Sequence, residues 1–248
     1  MHRDFGLGHI SRFISDVGTG MVSYDHYSIT TDTLGHTALN PDYYKNLEIV
    51  SAEARRAGVP FWAFALSTAH YSFPAATREH IRLQMFSNLA YGAQGVQYFT
   101  YWQFPGLGES EDVPITNARQ RGTSWWTVRD MNREIRALTH IFLGAEVIDV
   151  SHTGDSIPEG THSLAALPDG IKSLKAEGGE GVLVSHLRNG EHEYLMIVNR
   201  DLHNTQTATV ETEQGVEYVT PECDYIDSHK VSPRRLLSPG DYALYRLK

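Results

Sequence analysis

The amino-acid sequence predicts an α/β region followed by an all-β region. Residues 1–146 alternate short apolar runs with helical patterns, which is typical of parallel strands joined by helices. Residues 147–248 carry short alternating runs separated by turn residues, which is typical of antiparallel sheets. We therefore predict two domains with a boundary near residue 146.

The first region contains four predicted helices and three predicted strands. Apolar residues at helical spacing predict helices over residues 9–17, 43–57, 80–91 and 123–142. Apolar runs predict strands over residues 21–29, 60–67 and 95–102. The second of these runs is apolar almost throughout, as expected for a parallel strand that is buried on both faces. A long polar loop follows the third run, and its length favours a functional role.

The second region is predicted to form a small β-sandwich. Asn189-Gly190 lies between two alternating runs and indicates a tight hairpin, because a primed turn needs positive φ at its central residues. We expect this sandwich to pack on the helix predicted over residues 123–142. Its predicted strands cover residues 182–187, 194–199, 205–211, 216–220 and 242–247.

Composition excludes some partners. The net charge of −9, with no run of Lys and Arg, argues against nucleic acid. No stretch of about 18 apolar residues is present to span a membrane. No signal peptide is expected in residues 1–8, and the single Cys223 allows no intrachain disulfide. The histidines lack metal-ligand spacing, so neither a metal nor another cofactor is predicted.

Three segments resemble strands of a known enzyme class. They read YDHYSI at 24–29, PFWAFALS at 60–67 and LAYGAQGVQYFTYW at 89–102. Together they resemble the sixth, seventh and eighth strands of clan A glycoside hydrolases of the β-galactosidase type. The ending SPGDYALYRL at 238–247 is similar to the last strand of the sandwich that often follows such barrels. The resemblance implies the last three strands of a (β/α)₈ TIM barrel followed by a small antiparallel β-sandwich.

The resemblance also implies a function in carbohydrate metabolism, with two departures. The first five barrel strands are absent, and the usual position of the nucleophilic Glu falls on Ala65. A retaining glycosidase needs two carboxylates about 5 Å apart. The chain is therefore expected to be either a glycosidase completed by an N-terminal half barrel or an inactive carbohydrate-binding module. Partnership with that half or self-association is expected, and the parent enzyme would be secreted or periplasmic.

Barrel enzymes place their sites at the carboxyl ends of the strands. Asp25 is the candidate catalytic residue, because an acid beside His26 could position a sugar hydroxyl or tune a proton donor. Trp102 is the best candidate for stacking on a pyranose ring. The candidate substrate-binding side chains are His26, Tyr27, His70, Tyr71, Trp102 and Phe104.

Each candidate has a structural alternative. Asp25 could cap a loop or pair with a neighbour, and His70 and Tyr71 could be ordinary loop residues. Trp102 could fill a core. Three acidic residues of the long loop are interpreted as solvated surface, namely Glu109, Glu111 and Asp112.

Overall fold

The computed structural model of the chain describes residues 7–71, 73–103, 106 and 112–248. These residues form fourteen β-strands in four sheets, five α-helices and one short 3-10 turn. Most of the regular structure in this part of the chain is therefore β.

The elements up to residue 142 alternate between helices and short strands. The observed helices lie close to the predicted ones, and the helix predicted over residues 43–57 is α2 itself. The elements are α1 Leu7–Val17, β1 Val22–Tyr24, β2 Ile29–Thr31, β3 Thr37–Leu39, α2 Tyr43–Ala57, β4 Phe61–Leu66, α3 Arg78–Ala90, β5 Gly95–Phe99, α4 Ser124–Ala137 and α5 Thr139–Phe142.

Three of these strands form a parallel sheet in the order β1, β4, β5. Side chains alternate between the faces of a strand, so Phe61, Ala63 and Ala65 share one face of β4. All three are buried, on the side of α2 and α3. Trp62 and Phe64 lie on the opposite face, where the Trp62 side chain is 39% exposed.

The predicted partial (β/α)₈ barrel is wrong. Parallel pairing stops at three strands among the described residues, and the remaining eleven strands belong to antiparallel sheets. The strand predicted over residues 21–29 is also divided, because β1 ends at Tyr24 and β2 pairs instead with β3. Alternating strands and helices predict parallel neighbours, but closure depends on strand tilt and stagger that local patterns do not specify. Self-association through the sheet edges β1 and β5 stays a prediction.

The rest of the chain, from residue 146, is almost entirely β. Its strands form a six-stranded sheet in the order β12-β11-β14-β9-β8-β6 and a three-stranded sheet in the order β13-β10-β7. The strands are β6 Glu146–His152, β7 Ile171–Glu177, β8 Val182–Asn189, β9 His192–Asn199, β10 Gln206–Thr212, β11 Glu217–Val219, β12 Tyr225–Asp227, β13 Arg234–Leu237 and β14 Tyr242–Arg246.

The larger sheet borders two hydrophobic cores. Val184 and Ile197 point into one core, together with Ala208 of the smaller sheet. Leu183 and Val198 lie on the other face and join the core that contains the helices. This second core contains residues from both sides of position 146, so side chains of the two predicted domains pack together. The domain boundary near residue 146 stays a prediction.

The six-stranded sheet packs on a different helix from the one expected. Strands β8 and β9 contact α3. The helix predicted over residues 123–142 is divided into α4 and α5, and of these two it is the short α5 that packs on the sheet, against β8. Gly240, in the turn before β14, has φ +74. A Cβ atom at Gly240 would lie 2.3 Å from the Leu83 backbone nitrogen of α3. The absence of a side chain at Gly240 thus permits close approach of the turn to the helix.

The predicted hairpin is present, with its turn shifted by one residue. Asn189 ends β8 and pairs with His192, so Gly190 and Glu191 are the central residues of the turn. Gly190 has φ +60, as a turn of this length requires at its first central position. The Asn189 amide instead donates to three carbonyl oxygens of residues 140, 141 and 143, which docks the hairpin on the end of α5.

Candidate functional site

The carboxyl ends of β1, β4 and β5 bring three loops to one edge of the parallel sheet. The loops after β4 and β5 are joined at their base. The Thr68 hydroxyl donates to the Thr100 carbonyl and accepts from the Thr100 amide, both at 3.0 Å. The Ser67 amide donates to the Phe99 carbonyl at 2.8 Å. These three hydrogen bonds therefore join the bases of the two loops.

Asp25 and Tyr27 follow directly after β1. The Asp25 side chain is exposed, whereas Tyr27 is buried. The Tyr27 ring packs edge-on against Phe73 at 5.1 Å and against His70 at 6.0 Å. Burial, followed by the interaction with the Asp25 carboxylate, raises the pKa of the Tyr27 phenol. Tyr27 is thus a protonated core residue whose hydroxyl faces an exposed carboxylate.

His26 does not join Asp25. Its ring stacks near Tyr24 and near Tyr43 of α2, with centroids 6.0 and 6.3 Å apart. Burial lowers the pKa of the His26 imidazole, and its buried Nε2 atom has no hydrogen-bond partner. No hydrogen bond from His26 Nε2 to Asp25 is formed, and a joint role of the two residues stays a prediction.

His70 is held inside the loop after β4. Its ring is buried against Phe99 and Phe73, with centroids 4.7 and 5.0 Å away. Its Nδ1 atom lies 2.9 Å from the Thr68 carbonyl oxygen. Because a carbonyl only accepts, Nδ1 carries the proton, and Nε2 is the acceptor in the neutral ring. His70 supports the loop through packing as well as through this hydrogen bond.

Three large aromatic side chains are exposed at this edge. Tyr71 is 84% exposed, Tyr101 is 70% exposed and Trp102 is 43% exposed. Tyr71 has φ +47 within a turn closed by hydrogen bonds between the backbones of His70 and Phe73. A bulky residue rarely adopts this left-handed conformation, which here holds the ring at the tip of the turn.

The backbone beneath Trp102 is also fixed. The Gln103 amide donates to the Ile115 carbonyl at 2.9 Å, and the Ile115 amide donates to the Tyr101 carbonyl at 3.0 Å. These bonds pair the segment after β5 with the far end of the long loop. The sequence analysis did not select Tyr101. Its position directly before Trp102, at the end of a predicted strand, could have indicated a second exposed ring.

The remaining candidates differ in outcome. Asp112 ties loops together, because its carboxylate accepts from the Thr123 hydroxyl at 2.9 Å and its carbonyl accepts from the Ala69 amide at 3.3 Å. Phe104, Glu109 and Glu111 lie outside the described residues.

A nucleophile at position 65 would not reach the exposed edge. Ala65 is fully buried on the face of β4 that packs toward the helices. The open face of the sheet instead carries Trp62, whose ring lies over Gly95, where a Cβ atom would come within 2.6 Å of it. Sequence reasoning missed Trp62 because it treated this strand as buried on both faces.

Neither a metal-binding cluster nor a membrane-spanning helix is found in the part of the chain that the structure describes. No group of three or more His, Cys, Asp or Glu side chains there is placed to hold a metal ion. None of its helices combines the length and apolar character needed to cross a membrane.

Comparison with known proteins finds one faint likeness. No family model matches the chain, and no curated protein matches it. The crystal structure of Thermotoga maritima alpha-fucosidase is similar over 97% of this chain and 78% of that chain, with a TM-score of 0.27 and 9% sequence identity. That protein is a glycosidase, but a likeness this weak carries no argument about fold or activity.

Proposed function

We propose that this chain binds carbohydrate through the aromatic side chains exposed after β4 and β5. The observation that carries the proposal is the exposure of Tyr71, Tyr101 and Trp102 on backbone held by hydrogen bonds. Exposed rings of this size leave apolar surface in water, which is unfavourable by about 25 cal/mol per Å². A flat ring that is apolar on its faces and polar at its edge suits a pyranose, which has the same character.

Polar groups beside the rings supply hydrogen bonds to sugar hydroxyls. Asp25 is an exposed carboxylate and can accept from two hydroxyl groups. The Asp25 carboxylate also lies close enough to the buried Tyr27 phenol to raise its pKa.

Binding is favoured over hydrolysis for this chain. Hydrolysis of a glycosidic bond requires two carboxylates on either side of it. The described residues that directly follow β1, β4 and β5, namely 25–27, 67–71 and 100–103, include one carboxylate, Asp25. Hydrolysis of a poly- or oligosaccharide is the second candidate function, and the exposure of Asp25 is the observation that favours it.

Calorimetric titration with a panel of neutral oligosaccharides tests the proposal. The double variant Tyr71→Ala/Trp102→Ala should lose binding, whereas the control Phe13→Ala removes an exposed aromatic ring from α1 and should leave binding unchanged. Equal binding by the double variant and the wild type would show that these rings are not the platform.

Activity assays separate the two candidates. If the chain only binds, aryl glycosides should remain intact under conditions where oligosaccharides bind. Turnover that disappears in Asp25→Asn, while the affinity for oligosaccharide persists, would instead assign hydrolysis and identify Asp25 as one of its two carboxylates.

A further inference from the structure

A groove of about 410 Å³ lies next to the proposed sugar platform. Tyr98 of β5 and Tyr101, which follows this strand, line the groove, and α4 contributes Trp125 and three arginines. Its size is in the range of small-molecule sites. Tyr101 lines this groove and is also one of the three exposed rings of the platform, so the two sites share this residue.

The groove carries positive charge on a chain whose net charge is −9. Arg129, Arg133 and Arg136 are spaced by four and three residues, so they lie along one face of α4. Arg129 pairs with Asp130 at 2.7 Å. Arg133 and Arg136 are exposed and have no ion pair with any residue that the structure describes. Glu134, which lies between them in sequence, is engaged by Arg82.

This arrangement destabilises the free protein slightly, because like charges on adjacent turns of a helix repel one another. An anionic ligand would remove that repulsion. Each guanidinium also presents a planar pair of donors that matches the two oxygens of a carboxylate or sulfate group.

Aromatic rings lie close to two guanidinium groups, that of Arg129 in the groove and that of Arg121 on Trp125. The Arg121 guanidinium lies 4.0 Å from the centroid of the Trp125 ring, and that of Arg129 lies 4.7 Å from the centroid of Trp126. Cation–π contacts of this kind restrict the arginine side chains before a ligand binds. The Tyr98 hydroxyl donates to the Asn132 side-chain oxygen at 3.1 Å, which leaves the Asn132 amide nitrogen to donate toward a ligand.

From these contacts we infer that the groove binds the acidic groups of an anionic oligosaccharide, with Arg133 and Arg136 as the principal contacts. This inference rests on the proposed carbohydrate-binding function and specifies its ligand. The exposed Tyr101 ring contacts the sugar, and the guanidinium groups contact its carboxylate or sulfate substituents.

Calorimetry with three tetrasaccharides of equal length tests the inference. The probes are tetragalacturonic acid for carboxylates, a heparin tetrasaccharide for sulfates and neutral cellotetraose. The wild-type chain should bind at least one acidic probe at least about tenfold more tightly than the neutral one, since hydrogen bonds to charged groups are the strong ones. The preferred acidic probe identifies the substituent.

Charge variants assign the binding to the groove. Arg133→Gln/Arg136→Gln should weaken the affinity for the acidic tetrasaccharides by about tenfold or more. Arg133→Lys/Arg136→Lys should weaken it less, because the positive charges remain and only the planar pairs of guanidinium donors are lost. Arg12→Gln/Arg234→Gln removes the same charge from exposed positions elsewhere and should have no effect. Unchanged circular dichroism and melting temperature would show that each variant is folded.

Several outcomes would overturn the inference. Equal affinity for neutral and acidic probes would refute it and leave the proposed function intact, whereas failure of all three probes would count against both. Acidic binding that is insensitive to the glutamine variants would place the anion elsewhere. Tighter binding of poly-aspartate or single-stranded DNA, lost in the same variant, would assign the groove to a peptide or to nucleic acid instead.

Discussion

Substitution of Arg82 by Leu should strongly destabilise the protein. Arg82 projects from α3 with a side chain that is only 7% exposed. It donates to both carboxylate oxygens of Glu134 on α4, at 2.6 and 3.2 Å, and to Asp241 before β14 at 2.5 Å. One guanidinium therefore joins two helices to the six-stranded sheet.

The magnitude follows from the burial of its partners. The Glu134 side chain is 12% exposed and would be left without its cation, whereas Asp241 is 29% exposed and can be solvated in part. Removing one partner of a buried pair costs about 3–5 kcal/mol, mostly because the other charge is left unpaired. This loss is a large share of the roughly 5–15 kcal/mol that stabilises a typical domain.

Urea unfolding followed by circular dichroism measures this loss in the free energy of unfolding. The double variant Arg82→Leu/Glu134→Leu should recover part of it, because the unpaired carboxylate is then absent. A loss below about 1 kcal/mol in the single variant would refute the reasoning, since it would mean that water already solvates the pair. Simple addition of the two single losses in the double variant would likewise show that the charges do not interact.

Three further predictions concern packing, pH and the ligand platform. Gly240→Ala should destabilise the protein by about 1 kcal/mol or more in the same urea assay, because φ is positive there and the new Cβ would meet the Leu83 backbone. Burial lowers the pKa of His152 from 6.5 to about 3. Below pH 6.5 the unfolded chain therefore binds a proton at His152 that the native chain does not bind. The free energy of unfolding should fall as the pH is lowered from 6.5 to 3, by up to about 1.4 kcal/mol per pH unit. Trp102→Ala should weaken oligosaccharide binding by about 1 kcal/mol or more in calorimetry, with little change in melting temperature.

Each of these predictions has an internal control. Gly190→Ala has the same sign of φ but no neighbouring atom within 4 Å, so it isolates the backbone strain from the clash at Gly240. His152→Gln should reduce the dependence of stability on pH, and an unchanged slope would assign it to other groups. A large fall in melting temperature for Trp102→Ala would indicate that the ring is part of a core, where loss of Trp costs about 3–5 kcal/mol.

The candidate site was partly predictable. The strand ends directed attention to Tyr71 and Trp102, which the structure leaves exposed on fixed backbone. The same reasoning selected His26, but β1 ends at Tyr24. Strand alternation therefore does not set the direction of His26, and its ring lies near Tyr43 of α2. The sequence analysis did not select Arg129, Arg133 and Arg136 of α4, because only the tertiary structure shows that they line one groove.

The sequence by itself determined the local elements. Glycine at position 58 ends α2 in the left-handed conformation, and glycine at position 190 forms the tight turn between β8 and β9, because both depend on neighbouring residues alone. Only the tertiary structure decided which strands pair, that the parallel sheet stops at three strands, and that Arg82 joins two helices to the larger sheet. These features depend on contacts between residues far apart in the chain, where the free energy of packing and pairing outweighs local preference.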